Sequence, residues 1–301
     1  MNAPPGNAAG TTLKGFCMGA ADVVPGVSGG TIAYILGIYP QLLTAINSFD
    51  GMWLSQLLRF QFRAAAARPH FRFVLPLAAG IALALFTFTR IIPIPRLLYT
   101  HPEAVYGLFC GLVSGSIIVL QRRIRLASIR QFSLMVLGAL LGWIAMTAAP
   151  SATPDTPLFA FLAGALAICA MILPGISGSF TLLVLGKYVY IFESLGRFDL
   201  TVIIPFGIGA ILGLASFSRL LSYLLAKWQN GSMLVINGIL VASLWIIWPF
   251  QLREYADSGS KLLRSTPFLP SEIDITVLSS GALALCGFAT VLAIHFVAER
   301  H

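Results

Sequence analysis

Two short segments of the chain combine proline, glycine and hydroxyl side chains in nearly the same order. The first is PGVSGGT (Pro25–Thr31) and the second is PGISGSF (Pro174–Phe180). Proline ends a helix and glycine permits a sharp reversal, so each segment predicts a break followed by a new helix start. A helix start presents unbonded N–H groups and the positive end of the helix dipole, which together bind anions. The pattern therefore predicts two loops that converge on one phosphate or carboxylate.

The candidate phosphate-binding residues belong to these loops, together with two arginines at matching places in the two halves of the chain. They are Gly26, Ser28, Gly29, Gly30, Thr31, Gly175, Ser177, Gly178, Ser179, Arg90 and Arg219. A guanidinium binds phosphate through two parallel hydrogen bonds, and a charge inside an apolar stretch is a functional candidate. The alternatives are snorkelling of the arginines to the nearest interface and close helix packing at the loops.

Asp22 precedes the first loop inside an apolar stretch, where an unpaired carboxylate is costly. Its counterpart before the second loop is Met171, so the acid is present in one half only. Two roles fit a carboxylate at this place. It either binds a coupling proton or cation, or it accepts hydrogen bonds from N–H groups of the loop as a helix cap.

The composition of the chain requires lipid as its solvent. Of the 301 residues, 57% are hydrophobic and only 10% are charged, whereas a soluble domain carries about 25% charged residues. We therefore predict one membrane domain over residues 1–301. The net charge of +8 comes largely from arginines in two short connections, residues 59–72 and 122–130. Such clusters are typical of cytoplasmic loops, so no nucleic-acid partner is predicted.

Six uninterrupted apolar stretches are long enough to span a bilayer. They are Phe73–Ile92, Ala104–Leu120, Phe132–Ala149, Thr201–Leu225, Met233–Trp248 and Ile275–Val297. Two longer stretches, Phe16–Ile46 and Leu158–Phe192, contain the Pro-Gly segments. We expect these to be re-entrant hairpins that enter and leave the membrane on one side. With that assignment Lys227 and Arg300 lie inside. The connection Pro150–Pro157, which has no basic residue, and the mixed-charge segment Gln251–Asp274 lie outside, as the charge bias requires.

The sequence also repeats itself. Residues Pro25–Tyr39 match Pro174–Tyr188 at a constant offset of 149. The match continues at an offset of 129, where Pro76, Gly80, Phe88 and Arg90 correspond to Pro205, Gly209, Phe217 and Arg219. In the last span of each half, Gly138–Leu140 matches Gly281–Leu283.

This match predicts repeat one over residues 13–149 and repeat two over residues 157–298, each a re-entrant broken-helix hairpin followed by three transmembrane helices. Three crossings per repeat place the second repeat upside down relative to the first. The predicted fold class is therefore an all-α polytopic membrane protein with two inverted-topology repeats. Inverted repeats with discontinuous helices at their interface are typical of secondary transporters, whose substrate site lies near mid-bilayer.

Several kinds of site are not predicted. Residues Gly26–Gly30 fit the G-x-S-x-G nucleophile pattern, but that pattern requires a strand-turn-helix elbow and a histidine partner. No strand is expected there, and the four histidines lie in loops or near the C-terminus. The sequence contains neither a Walker loop nor a CxxC pair. We therefore expect no catalytic residues, no metal and no cofactor.

The segments Gly19–Tyr39 and Ile172–Tyr188 closely resemble the bacterial polyprenyl-phosphate transporter family, long described only as a membrane domain of unknown function. The resemblance implies a flippase that moves undecaprenyl phosphate between bilayer leaflets by alternating access. It implies that this multi-pass protein of the inner (plasma) membrane recycles the carrier lipid for cell-wall glycan synthesis. The implied partners are the polyprenyl-phosphate lipid and membrane lipids, while coupling to a proton or cation and homo-oligomerisation stay open.

The residues alone leave two further functions open. A channel or exchanger for a small soluble anion uses the same helix-start chemistry, and a membrane enzyme acting on lipid phosphate binds the same head group. A lipid-facing opening beside the loops favours the transporter over a closed aqueous pore. Release of phosphate from the lipid by the purified protein distinguishes the enzyme.

Overall fold

The computed structural model describes residues 7–23, 28–91, 97, 100–124, 128–147, 153–255 and 262–299. The first half of the chain contains eight helical segments within these residues. They are α1 (Ala8–Asp22), α2 (Gly29–Ile35), α3 (Tyr39–Asn47), α4 (Gly51–Leu58), α5 (Phe62–Ala67), α6 (Phe71–Phe86), α7 (Pro102–Arg123) and α8 (Ile129–Thr147). A short π-helical turn, Thr87–Ile91, prolongs α6.

The second half repeats this order with fewer short helices. It contains α9 (Pro157–Ile172), α10 (Gly178–Val184), α11 (Tyr188–Gly196), α12 (Leu200–Lys227), α13 (Gln229–Ile247) and α14 (Ile275–Glu299). Strands β1 (Gln251–Tyr255) and β2 (Leu262–Pro267) form an antiparallel hairpin between α13 and α14. The sequence analysis did not predict this hairpin.

Five described helices, α7, α8, α12, α13 and α14, are long and apolar enough to cross a membrane, and α6 and α9 are shorter apolar helices. The predicted all-α polytopic membrane fold is confirmed, with the β-hairpin as an addition outside the apolar helices. Both predicted breaks are also present, because α1 ends at Asp22 and α9 ends at Ile172 before new helices begin.

The apolar helices pack in four pairs, and glycines bring the two backbones of each pair together. In the pair α1–α6, a Cβ atom added at Gly15 would lie 2.2 Å from the carbonyl oxygen of Leu77. In the pair α9–α12, a Cβ atom added at Gly164 would lie 2.2 Å from the carbonyl oxygen of Phe206. These contacts are related by the offsets of 149 and 129 found in the sequence.

The other two pairs, α7–α14 and α8–α13, join the halves. Gly111 of α7 faces the carbonyl of Ala284, and Gly238 of α13 faces the carbonyl of Met135. The second span of each half therefore packs against the third span of the other half. Such crossed contacts build one continuous helical body from the two halves.

These contacts correct the register of the sequence match in the last spans. Gly138 faces the carbonyl of Val235, and Gly287 faces the carbonyl of Leu108 in the same way. Gly138 is therefore the counterpart of Gly287 and not of Gly281, which has open space around it. The match of Gly138 with Gly281 was wrong by six residues because short runs of small and apolar residues recur along a membrane helix.

Each pair is parallel, because residue numbers increase together along both helices. In the first pair, Gly15 lies at Leu77 and Gly19 lies at Ile81. In the third pair, Gly107 lies at Ser280 and Gly111 lies at Ala284. Because α1 and α6 run in the same direction, the chain must return to its starting level between them.

The main buried core lies between the halves and is centred on the first hairpin. Tyr39 and Leu43 of α3 are 1% exposed, and they share one apolar cluster with Leu234 and Leu240 of α13. This core holds the first hairpin against the second half of the chain, which brings the two predicted loops into reach of each other.

Candidate functional site

The two predicted loops lie in direct contact. The Ser28 hydroxyl donates a hydrogen bond to the carbonyl oxygen of Met171 at 3.0 Å. The backbone N–H of Gly175 donates to the hydroxyl oxygen of Thr31 at 2.8 Å. Ser28 and Thr31 are each 1% exposed. Side chains of the first loop therefore bind backbone groups of the second.

The hydroxyl groups of the first hairpin satisfy the end of α9. The last carbonyl groups of a helix lack partners within the helix. At the end of α9, Ser28 binds the carbonyl of Met171, and the Tyr39 hydroxyl donates to the carbonyl of Ile172 at 3.0 Å. A Cβ atom added at Gly30 would lie 2.8 Å from that same carbonyl oxygen of Ile172. Glycine is thus required where the start of α2 crosses the end of α9.

The start of α2 is capped by oxygen atoms of the chain itself. Oδ1 of Asp22 accepts a hydrogen bond from the backbone N–H of Gly29 at 2.7 Å. The Ser28 hydroxyl oxygen accepts one from the N–H of Gly30 at 3.1 Å. The carboxylate of Asp22 therefore lies where the sequence predicts an external anion. Of the two roles considered for Asp22, this contact is the cap, and coupling stays a prediction.

The start of α10 differs, since Met171 replaces the carboxylate there. The Ser177 and Ser179 hydroxyl groups share a hydrogen bond of 2.8 Å. Within the described parts of the chain, the backbone N–H groups of Gly178 and Ser179 have no acceptor. The two loops are thus related in sequence but unequal in chemistry: the first is filled, and the second presents unbonded donors.

The two arginines are not brought to the loops in the same way. Arg219 is exposed on α12, beside the buried Ser218, whose hydroxyl donates to Asn47 of α3 at 2.7 Å. The backbone of Arg90 belongs to the π-helical turn, but its side chain lies outside the described residues, as does Gly26. Phosphate binding by these three residues stays a prediction.

A cavity of about 940 Å³ separates two helix pairs, α8–α13 and α9–α12. Its deep end contains Leu173, next to the second loop, and Ile239, whose carbonyl lies 3.3 Å from a Cβ atom added at Gly175. Its walls include Leu134 and Phe217. The cavity therefore ends beside the second loop, although none of the residues Pro174–Phe180 lines it.

The mouth of this cavity is polar and positively charged. It lies where α8 begins, α12 ends and α13 begins, and it includes Arg130 and Lys227. Nζ of Lys227 donates to the Tyr223 hydroxyl at 2.8 Å and lies 5.2 Å from the ring centroid of Trp228. The sequence analysis explained these cations by membrane orientation alone, because a linear sequence does not show that two loops share one cavity.

The end of the second hairpin returns to the residues that precede its first helix, α9. Lys187, which follows α10, is 1% exposed, and its Nζ donates to the carbonyl oxygens of Thr153 and Pro154 at 2.7 Å each. It also pairs with Asp155 at 2.5 Å. The end of the hairpin thus lies beside the residues that precede α9. The sequence analysis assigned Lys187 no site role, and its only signal is a lysine where the first half has Ile38.

The described residues include no group of three or more histidine, cysteine, aspartate and glutamate side chains that could hold a metal. All four cysteines are free thiols. The chemistry available at the site is therefore hydrogen bonding and electrostatic attraction from hydroxyl groups, backbone N–H groups and cations.

A family model described as "VCA0040-like: Undecaprenyl phosphate translocase-like" matches residues 18–262. The chain belongs to this family. The match includes both loops, the cavity, the end of α1 and helices α2 to α13, so the two loops and the cavity lie within the shared region.

Two curated relatives carry the name polyprenyl-phosphate transporter. The protein from Vibrio cholerae serotype O1 is 37% identical over 245 residues, covering 80% of this chain and 78% of the relative. The protein from Staphylococcus aureus is 31% identical over 255 residues, covering 79% of this chain and 85% of the relative. No solved structure matches the chain. Both names are those of transporters and not of enzymes, in agreement with the expectation of no catalytic role.

Proposed function

We propose that this protein carries polyprenyl phosphate, specifically undecaprenyl phosphate, between the leaflets of the bacterial inner membrane and so recycles the carrier lipid for cell-wall glycan synthesis. The family description and the names of the two relatives support this lipid. The observation that carries the proposal is the contact of the two loops, which lies next to one end of a cavity with a basic mouth and apolar walls.

Parallel packing supports the proposed inverted repeats. A hairpin arm that runs parallel to the next span enters the membrane from the same side as that span, which fits a re-entrant hairpin and not a full crossing. This holds for α1 with α6 and for α9 with α12. Three crossings then separate the two hairpins, so α9 enters from the side opposite to α1. We therefore retain repeats over 13–149 and 157–298 in one domain of residues 1–301.

The cavity mouth lies on the proposed cytoplasmic side. Arg130 begins α8 beside one arginine-rich loop, and Lys227 ends α12 at the same level. The positive-inside bias assigns this end to the cytoplasm. We therefore interpret this arrangement as an inward-open form of the proposed alternating-access cycle.

We place the phosphate at the start of α10, where the N–H groups of Gly178 and Ser179 have no acceptor within the described residues. To reach them, it would have to open the buried turn and replace the hydrogen bond between the Ser177 and Ser179 hydroxyl groups. The predicted residues of the first loop lie on the opposite side of the site. The prenyl tail stays in lipid by passing between the α8–α13 and α9–α12 pairs, and rocking of these pairs moves the head group across. We place the coupling at Asp22. Binding of a proton or cation to its carboxylate would break the hydrogen bond that it accepts from the Gly29 N–H.

The walls of the cavity favour an amphiphile over a small soluble anion. Leu134, Phe217 and Leu221 lie between the basic mouth and the second loop. A hydrated anion gains nothing from such a surface, whereas an isoprenoid chain buries its own apolar surface against it. The channel and exchanger alternatives are therefore weaker than the lipid carrier.

A vesicle assay tests this function. Purified protein is reconstituted into sealed vesicles that contain undecaprenyl phosphate, and a membrane-impermeant phosphatase is added outside. Without transport, hydrolysis stops when the outer leaflet is exhausted, after about half of the lipid. With the protein, we expect hydrolysis to run to completion. An identical plateau with and without protein overturns the proposal, and phosphate release before the phosphatase is added indicates an enzyme instead.

A matched pair of variants tests the site in the same assay. Ser177→Ala combined with Ser179→Ala removes both hydroxyl groups at the start of α10, and we expect at least a tenfold slower second phase. Ser133→Ala on the exposed face of α8 serves as the control and should match the wild type. Equal rates for the double variant and the control would exclude these hydroxyl groups from the transport path.

A further inference from the structure

We propose that Arg130 and Lys227 form a binding site for the phosphate head group of a lipid at the cytoplasmic mouth of the cavity. The site is separate from the two loops, and neither residue belongs to the candidate set predicted from the sequence. The inference rests on the proposed function, because it adds an entry or exit station to the same path.

The geometry of the mouth places two cations at one end of one cavity. Arg130 lies in the first turn of α8 and Lys227 in the last turn of α12, and both line the cavity. Nζ of Lys227 donates to the Tyr223 hydroxyl and lies over the ring of Trp228, and both contacts orient the ammonium group. An oriented side chain loses less entropy when an anion binds it.

Neither cation is neutralised within the described parts of the chain. The ion pairs found there use Arg68, Lys187 and Arg197, so no carboxylate pairs with Arg130 or Lys227. Arg130 also lies at the positive end of the α8 dipole, where a cation is disfavoured and an anion is favoured. A bound phosphate would both neutralise the two cations and interact favourably with the positive end of the α8 dipole.

The rest of the cavity selects the class of anion. Immediately inside the mouth the walls are apolar, with Leu134, Leu221 and Leu224. From Gly231 at the mouth to Ile239 at the deep end, α13 advances eight residues, or about 12 Å along the helix axis. A phosphate group bound at the mouth therefore leaves room for the prenyl chain inside the cavity. A phosphate group that reaches the loops has moved about 12 Å from the mouth.

The repeat does not reproduce this site on the other side. By the offsets of 149 and 129, the counterparts of Arg130 and Lys227 are Ser279 and Leu98, neither of which is charged. The mouth is thus a specialised feature of the cytoplasmic face. Phosphate should be held longer on this side, although a difference in affinity does not by itself drive net transport.

Binding measurements test the site directly. The full-length protein in nanodiscs of neutral lipid is titrated with undecaprenyl phosphate, with undecaprenol and with inorganic phosphate. We expect Arg130→Gln and Lys227→Gln each to weaken binding of undecaprenyl phosphate about tenfold, or about 1.4 kcal/mol. Undecaprenol, which lacks the charge, should bind all forms equally. Unfolding temperatures are compared to confirm that both variants fold.

Arg59→Gln is the matched control, because Arg59 is an exposed arginine outside the candidate phosphate-binding set and does not line the cavity. It should bind undecaprenyl phosphate as the wild type does. Unchanged binding in both mouth variants, or a loss only in Arg59→Gln, overturns the proposed site. An equal tenfold loss for inorganic phosphate also overturns it, because that result indicates a site for free anions.

The vesicle assay on the same proteins separates this inference from the proposed function. If the wild-type protein binds the lipid at the mouth but hydrolysis still stops after about half of the lipid, the transport function is contradicted. Wild-type protein that completes hydrolysis while the mouth variants bind normally contradicts the mouth site alone.

Discussion

Adding one methyl group at Gly209 should separate α9 from α12. A Cβ atom at this position would lie 1.9 Å from the carbonyl oxygen of Phe161, whereas ordinary contact begins near 3.4 Å. The two backbones would have to move apart by about 1.5 Å, and neither is a flexible side chain that turns aside. Gly80 stands in the same relation to Thr12, with 2.0 Å to its carbonyl oxygen. Gly80→Ala should therefore have the same effect in the first half.

The magnitude follows from two opposing terms. Overpacking of a tight interface costs about 1–3 kcal/mol, and contact with rigid backbone places this case at the upper end. Replacing glycine by alanine within a helix returns about 1 kcal/mol. We expect Gly209→Ala to lower the free energy of unfolding by about 2 kcal/mol. Gly207→Ala is the control, because Gly207 lies on the same helix with nothing within 4 Å, and it should be neutral or slightly stabilising.

Cys17, Cys110 and Cys169 provide the assay, since they are partly buried and react more fully with a thiol-specific dye as the protein unfolds in detergent. The exposed Cys286 reacts from the start and contributes a constant signal. We expect the unfolding temperatures of Gly209→Ala and Gly80→Ala to fall by several degrees and that of Gly207→Ala to stay or rise. If Gly209→Ala and Gly207→Ala unfold at the same temperature, the close approach of the helices is not what holds these pairs together.

Two further predictions concern charged groups. Lys187→Met leaves two carbonyl groups and Asp155 without their buried donor, so it should lower the free energy of unfolding by about 3 kcal/mol in the thiol-dye assay. Arg197→Met removes an exposed ion pair and should cost under about 0.5 kcal/mol. Equal shifts in unfolding temperature would show that burial of the lysine is unimportant. Hydrogen bonds from Arg68 lower the pKa of Asp50 to about 2, so the stability that the ionised carboxylate contributes is present at neutral pH and is lost only as the pH falls from about 4 towards 2. The difference in unfolding temperature between wild type and Asp50→Asn should be constant above pH 5 and shrink below pH 4, and a constant difference down to pH 3 would contradict the pairing.

Most of the architecture was predictable because lipid imposes a simple rule. A backbone in hydrocarbon must bond to itself, so uninterrupted apolar stretches become helices of predictable length. Pro174 and Gly175 also predicted the break between α9 and α10, because proline ends a helix and glycine permits a sharp reversal of the chain. The sequence match also extends to packing, because Gly15 and Gly164 face equivalent carbonyl groups, although this packing was not predicted from the sequence.

The features that escaped prediction depend on contacts between distant residues. The sequence shows that Asp22 has no counterpart, but only the fold shows that its carboxylate fills the helix start of α2. The pairing of Arg130 with Lys227 at one mouth requires knowing that α8 and α12 flank the same cavity. Gly138 was matched to Gly281 and not to Gly287 because local similarity cannot fix a register that is set by the partner helix.

The crossed pairing of α7 with α14 has a consequence for biosynthesis. Gly107 and Gly111 of α7 are covered by Ser280 and Ala284, which are translated more than 150 residues after α7 ends. At about 5–20 residues per second, the ribosome needs roughly 10–30 s to produce that cover. During this interval the glycine face of α7 contacts lipid or the insertion machinery, and the first half stays in the membrane without α14, the helix that covers α7.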